Sequence, residues 1–167
     1  MADAGVELKV TLPELKSVTS RIGAVALAIH HPVKLMNIVG AVLESAARKR
    51  FRTGVGPDGK AWKPSIRAQR TGGKTLLDHG HLRDSISHEA DDDKAVIGSN
   101  LIYAAIHQMG GVIKAKSGGA LVFNIPGVGW RRVAQVTIPA RPYLGVSEAD
   151  RVEISDQVER YIARAAA

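Results

Sequence analysis

The sequence predicts an α+β fold: N-terminal helices and a C-terminal helix packed on a small antiparallel sheet, with long glycine-rich loops. Three observations carry this. Apolar residues recur at every third or fourth position through the first fifty residues and again in the last twenty. Between these regions, short stretches alternate apolar and polar residues and are separated by Asp- or Gly-containing turns. Neither an internal repeat nor a heptad run interrupts the pattern, and a chain of 167 residues is expected to form one domain, 1–167.

Taken in order, "VELKV" (residues 6–10) alternates as a short strand would. From Thr11, the apolar positions Leu12, Leu15, Val18, Ile22, Val25 and Ile29 mark one helical face, with Pro13 in the first turn, where its missing N–H costs nothing. "HHPVK" ends that helix, because the residue before Pro32 is pushed out of the α region. A second helix is expected over residues 32–51 with Leu35, Val39, Val42, Leu43 and Ala46 inward, and its last turn, "RKRFR", complements the helix dipole. Residues 54–75 read as a basic loop punctuated by Gly54, Gly56, Pro57 and Gly59, with Trp62 pinning it to the body; the stretch through "RAQRTGGK" is polar enough to be disordered in isolation.

A short helix is expected from about Leu77 to Ser85, with Asp78 as its N-cap. Residues 85–90 and 94–99 form a hairpin across "DDD". "LIYAAIHQMGG" is a short helix closed by Gly110 or Gly111 in the αL conformation. Leu121, Phe123 and Ile125 alternate, as do Ala134, Val136 and Ile138; with "PGVG" between them, these two runs are expected to pair. Ser147 then caps a final helix (147–167) with Ile154, Val158, Tyr161 and Ala165 on one side.

Aromatic residues are few: two Trp, two Phe and three Tyr, so a subunit completing its burial against neighbours fits as well as a modestly stable monomer. Cysteine is absent, which removes disulfides, thiolate zinc sites and cysteine nucleophiles. The N-terminus has no basic n-region followed by an apolar run, and the longest nearly apolar stretch, "IGAVALAI", is too short to span a bilayer. A soluble chain without a secretory signal or membrane contact is expected. The net charge of +7 is localised: residues 46–77 hold Arg48, Lys49, Arg50, Arg52, Lys60, Lys63, Arg67, Arg70 and Lys74 against the single acid Asp58. This block is the candidate surface for a protein or DNA partner; a solvated basic loop is the blander reading.

"LLDHGHLRDSISH" (residues 76–88) invites a metal-site reading, because a zinc site needs three or four converging donors. On a helix, however, His79 and His81 should diverge, and His88 lies past the helix end. GxSxG, HExxH and phosphate-loop patterns are absent, and "GGKT" lacks the upstream glycine. Asp91, Asp92 and Asp93 read as a solvated turn. Tyr103 and His107 share one face of a short helix, where an imidazole bonded to a carbonyl or carboxylate is the expected role. Neither a catalytic residue, a cofactor nor a metal ligand is assigned, and the chain is expected not to be an enzyme.

Three stretches together resemble a known family. "RFRTGVGPDGKAWKPS" (50–65) resembles the helix end and "DGxxW" turn of the phage virion morphogenesis, or tail completion, family of Mu-like and P2-like tailed phages. "LLDHGHLRDSI" looks like its "LxDTGxLRDSI" stretch, and "YAAIHQMGG" followed by "IPARPYLGVSEAD" is similar to its "YAAIHQFGG" and "IPARPFLGLSxxD" segments. Order and spacing agree over residues 33–150. His79 stands where the family commonly has Thr and His81 at a variable position, so the histidine row is incidental by this comparison. The residues carried over as structural are Trp62, Asp78, Gly80, Leu82, Arg83, Tyr103, His107, Gly110, Pro139, Arg141, Pro142 and Tyr143.

The resemblance implies a non-enzymatic, tail-terminator-like part of the virion neck, assembled in the host bacterial cytoplasm. Its partners would be copies of itself in a ring, typically of six subunits, the tail tube protein, head-side neck proteins, and genomic DNA passing through. Two alternatives stay open: a head-side stopper or connector ring, and a free, non-specific nucleic-acid-binding protein.

Overall fold

Pro32, its φ already near the helical value, opens the first long helix, α1 (Val33–Thr53). The computed structural model describes residues 23, 25, 26, 30 and 32–166; the strand expected at residues 6–10 and most of the helix expected from Thr11 fall outside them, while residues 23, 25, 26 and 30 are helical. At the other end of α1, Gly54 adopts φ +70° and donates its N–H to the Arg50 carbonyl, ending the helix as a left-handed cap. The expected inward residues Leu35, Val39, Val42, Leu43 and Ala46 are all half-buried, but the deepest positions are Gly40, Ala47, Arg50 and Phe51. Gly40 and Ala47 are deep because small residues let neighbours approach the backbone, whereas Phe51 joins the core and Arg50 an ion pair. A Cβ on Gly40 would stand 2.3 Å from the His88 ring.

The basic loop is more structured than its composition implies. Val55 bridges Ala61 around a tight turn, and a six-residue helix, α2 (Ile66–Thr71), follows. Ser65 caps it by accepting the Ala68 N–H, and Gly72 ends it at φ +70°. The helix expected from Leu77 shrinks to one turn, α3 (His81–Asp84), preceded by Gly80 at φ +87°. That left-handed glycine occupies the cap position, so Asp78 is not the N-cap; it pairs instead with Arg67 at 3.3 Å. Leu76, at φ +58°, is the one described non-glycine residue with positive φ.

Among the described residues, three separate two-stranded antiparallel ladders make up the β-sheet structure. Strands β1 (Ser87–Ala90) and β2 (Ala95–Gly98) form the expected hairpin, packed on α1. Helix α4 (Ala104–Met109) ends at Gly110, whose φ of +72° comes with an extended ψ, so the chain turns straight into β3 (Gly111–Lys114) without an αL residue. A Cβ on Gly110 would stand 2.6 Å from the Ala140 nitrogen, which makes glycine obligatory there. A single 3₁₀ turn (Lys116–Gly118) leads to β4 (Leu121–Ile125) and β5 (Gly129–Val133), followed by β6 (Gln135–Ile138). The expected pairing of residues 121–125 with 134–138 is therefore wrong. The turn after Ile125 pairs β4 with the strand directly following it, Ile125 facing Gly129, while β6 pairs with β3.

The last helix, α5 (Glu148–Ala166), begins as expected after Ser147, whose hydroxyl accepts the Asp150 N–H while the Asp150 carboxylate accepts the Ser147 N–H. Ile154, Val158, Tyr161 and Ala165 are half-buried along one side. The core forms where the ends of α1 and the connecting segments converge: Ala47, Phe51, Trp62, Leu82, Ile86, Ala104 and Tyr143. Phe51 meets Trp62 edge-on at 5.7 Å and Tyr143 at 5.1 Å, a small aromatic cluster that suits a chain poor in aromatic residues.

Candidate functional site

The basic segment divides into cations the fold consumes and cations it leaves outside. Arg50 is only 6% exposed. Its guanidinium pairs with Asp150 and donates to the carbonyls of Tyr143 and Gly145, both at 2.9 Å, so it ties the end of α1 to the start of α5. It therefore leaves the candidate partner surface. Arg48 is half engaged, pairing with Glu44 at 2.9 Å and donating to the Ile86 carbonyl. Arg67 holds Asp78 and the Lys74 carbonyl, and Lys74 donates to the Arg52 carbonyl. Lys60 stands 3.6 Å from Asp58. Lys49, Arg52, Lys63 and Arg70 are exposed and have no acidic partner among the described residues.

The family-motif residues gather in two places. Trp62, Leu82 and Tyr143 belong to the core, and the Trp62 indole donates to the carbonyl of half-buried Pro142 at 2.9 Å, as a pinned loop requires. The Tyr143 hydroxyl donates to the Ala104 carbonyl at 2.9 Å, and burial raises its pKa above the usual phenol value. Asp78, Gly80, Tyr103, His107, Pro139 and Arg141, together with the core residue Leu82, line one cavity of about 740 Å³, whose walls also include Lys63, Arg67, Phe123, Ile125, Val136 and Ile138. Arg83 lies outside both, in a bidentate contact with the adjacent Asp84 that raises the guanidinium pKa and lowers that of the carboxyl.

Inside the cavity, Arg141 is only 5% exposed. Its Nε donates to the Lys63 carbonyl at 2.8 Å and its backbone N–H to the His107 carbonyl. Burial holds its pKa below the ordinary arginine value, and among the described residues it has no carboxylate within ion-pair distance. Tyr103 and His107 do share a helical face, with ring centroids 6.1 Å apart. The imidazole is not bonded to a carbonyl or carboxylate as expected, however: Nδ1 is buried without a partner, and burial, then the Arg141 charge, pulls its pKa below the ordinary histidine value.

The three histidines of the row do not converge on one point. His79 and His81 stack at 5.9 Å at the cavity rim instead of diverging, because the left-handed Gly80 between them bends the backbone. His88 sits on β1, its Nδ1 2.7 Å from a Glu44 carboxylate oxygen. Among the described residues, no three His, Cys, Asp or Glu side chains converge as metal donors would.

Two features escaped the sequence reading. Gln108 accepts the N–H groups of Tyr143 and Leu144 at 2.9 and 3.0 Å and donates to the Leu144 carbonyl, fastening the "RPYLG" segment to α4. Its signal was available in "YAAIHQMGG", although nothing marked its partner. The second is charge: residues 94–147 contain six cationic residues and no acid at all. On this side β4 and β5 expose Val122 and Trp130, the latter 70% exposed, beside Arg131 and Arg132.

The profile of the phage virion morphogenesis family matches residues 13–163. Among curated proteins, the Mu-like prophage FluMu G protein 2 of Haemophilus influenzae is 31% identical over 154 residues, covering 92% of this chain and 95% of the relative. The putative capsid assembly protein G of Escherichia phage Mu is 34% identical over 137 residues, covering 77% and 78% respectively. No solved structure matches the chain closely enough to count as a relative. Coverage on this scale, along the very segments that build the core and the cavity, identifies the lineage: the chain belongs to the phage virion morphogenesis family.

Proposed function

We propose that this morphogenesis protein is a non-enzymatic tail-completion subunit, forming a ring at the head–tail neck that caps the tail tube and joins it to the head. The family match over residues 13–163 carries this reading. The geometry supports it, because the motif residues serve packing and a cavity while His88 pairs with Glu44 and His79 stacks on His81. A ring of identical subunits, six being the expected number, needs one heterologous contact repeated until it closes. Exposed apolar residues such as Ile102, Met109, Val122 and Trp130 are candidates to complete their burial there. The outward cations Lys49, Arg52 and Arg70 are proposed to meet an acidic face of the tail tube, a head-side neck protein, or the DNA path.

One observation favours a second reading: the phage Mu relative is named a putative capsid assembly protein, which suits a head-side completion ring. Electron microscopy of particles made without this chain separates the two. Overlong or headless tails beside filled heads support the tail terminator, and leaking, empty heads beside normal tails support the head-side ring. Normal infectious particles would refute both.

A further inference from the structure

We propose that the Arg141 cavity receives the acidic tip of the β1–β2 hairpin, residues 89–94, from a second copy of this chain. This rests on the reading of the protein as a ring subunit and names the contact that closes the ring. A buried guanidinium without an anion is costly, and its planar fork fits a carboxylate in two parallel hydrogen bonds. Among the described residues Arg141 meets that description, with only a neutral carbonyl on Nε. Beside it, His107 lines the same cavity, with its Nδ1 enclosed and without a partner. Lys63 and Arg67 stand in the same wall, and the one acid there, Asp78, is engaged by Arg67. The cavity is thus charged to take an anion, and about 740 Å³ is ample for a turn of a few residues.

The hairpin tip has the matching chemistry. Asp91 is spent internally: its Oδ1 accepts the N–H groups of Asp93 and Lys94, both at 2.9 Å, which fixes the turn before any contact is made. Asp92 and Asp93 remain exposed and without a cationic partner among the described residues. Val96, opposite Glu89 in the register and exposed, offers an apolar side chain next to the acids, as Phe123 and Val136 do within the cavity. A preorganised protrusion loses little entropy on docking. None of residues 87–98 lines the cavity of its own subunit. Protrusion and cavity are therefore separate surfaces on one molecule, the arrangement that propagates head-to-tail and forms a ring when the rotation between neighbours closes.

The test uses charge reversal and cross-linking in the full chain, on the purified protein and on tails assembled in its presence. Lys63→Glu, and separately Asp92→Lys with Asp93→Lys, should each weaken self-association by ~10-fold or more, and the triple variant should regain it. All three positions are exposed, so the fold should survive; far-ultraviolet circular dichroism checks that. Since the chain has no cysteine, Asp92→Cys with Lys63→Cys should give a ladder of disulfide-linked oligomers on oxidation. Rings that form equally well from every variant, with no ladder, would overturn this contact while leaving the ring intact. A chain that stays single even on tails would overturn the ring reading and this contact with it.

Discussion

Two arginines are almost equally buried, at 6% and 5% exposure, and the fold treats them in opposite ways. Arg50 is met by the Asp150 carboxylate and two carbonyls, so its burial fastens α1 to α5 and the segment between. Arg141 has one carbonyl and a cavity wall. Burial alone therefore does not reveal what a charge is for; its partners do. A guanidinium met by a carboxylate and two carbonyls is a clasp. One that is desolvated and only partly bonded has recognition capacity left over, provided a partner of opposite charge can reach it.

The largest expected effect breaks the clasp. Asp150→Ala leaves Arg50 buried without its anion and removes the acceptor for the Ser147 N–H, so unfolding in denaturant should show a loss of about 3–5 kcal/mol. Gln108→Ala tests the neutral fastening on the same segment. It leaves the Tyr143 and Leu144 N–H groups unpaired and should cost roughly 1–3 kcal/mol. Arg141→Met should be the mildest of the three, within about 1 kcal/mol of the parent, because one hydrogen bond is lost while a desolvated charge is relieved. That variant should nevertheless fail to self-associate. If Arg141→Met proved as destabilising as Asp150→Ala, the contrast between the two arginines would collapse.

The smallest effect is in pH. His107 has its pKa depressed by burial and by Arg141, so the unfolded chain binds this proton more readily than the folded one. The resulting stability is present above the unfolded value, about 6.5, and is lost as pH falls through the lower folded value. In His107→Phe, the acid side of the stability–pH curve should be flatter in that window. Identical slopes in the two proteins would mean that the imidazole is hydrated in solution.

Where local chemistry decides, the sequence was readable. Pro32 and Gly54 bracket α1, Ser147 caps α5, and the three aspartates mark the β1–β2 turn. The misreadings share a cause, since each depended on something distant or on a strand without alternation. "GWRRV" is exposed at four of its five positions, so no apolar stripe announced β5, and the alternating residues beyond it were paired with β4 in its place. Helix α2 was hidden because four of its six residues are polar, though Ser65 and Gly72 were its caps in plain view. Arg50 and Asp150 lie a hundred positions apart, and no local pattern could show that a basic cluster spends one member in the interior. The cavity likewise draws on segments from Lys63 to Arg141, which the fold alone brings together.

A reconstruction of the neck of infectious particles tests the central claim most directly. The account predicts a closed ring of copies of this chain between the tail tube and the head. Purified infectious particles that lack the polypeptide, with the junction built entirely from other proteins, would contradict it.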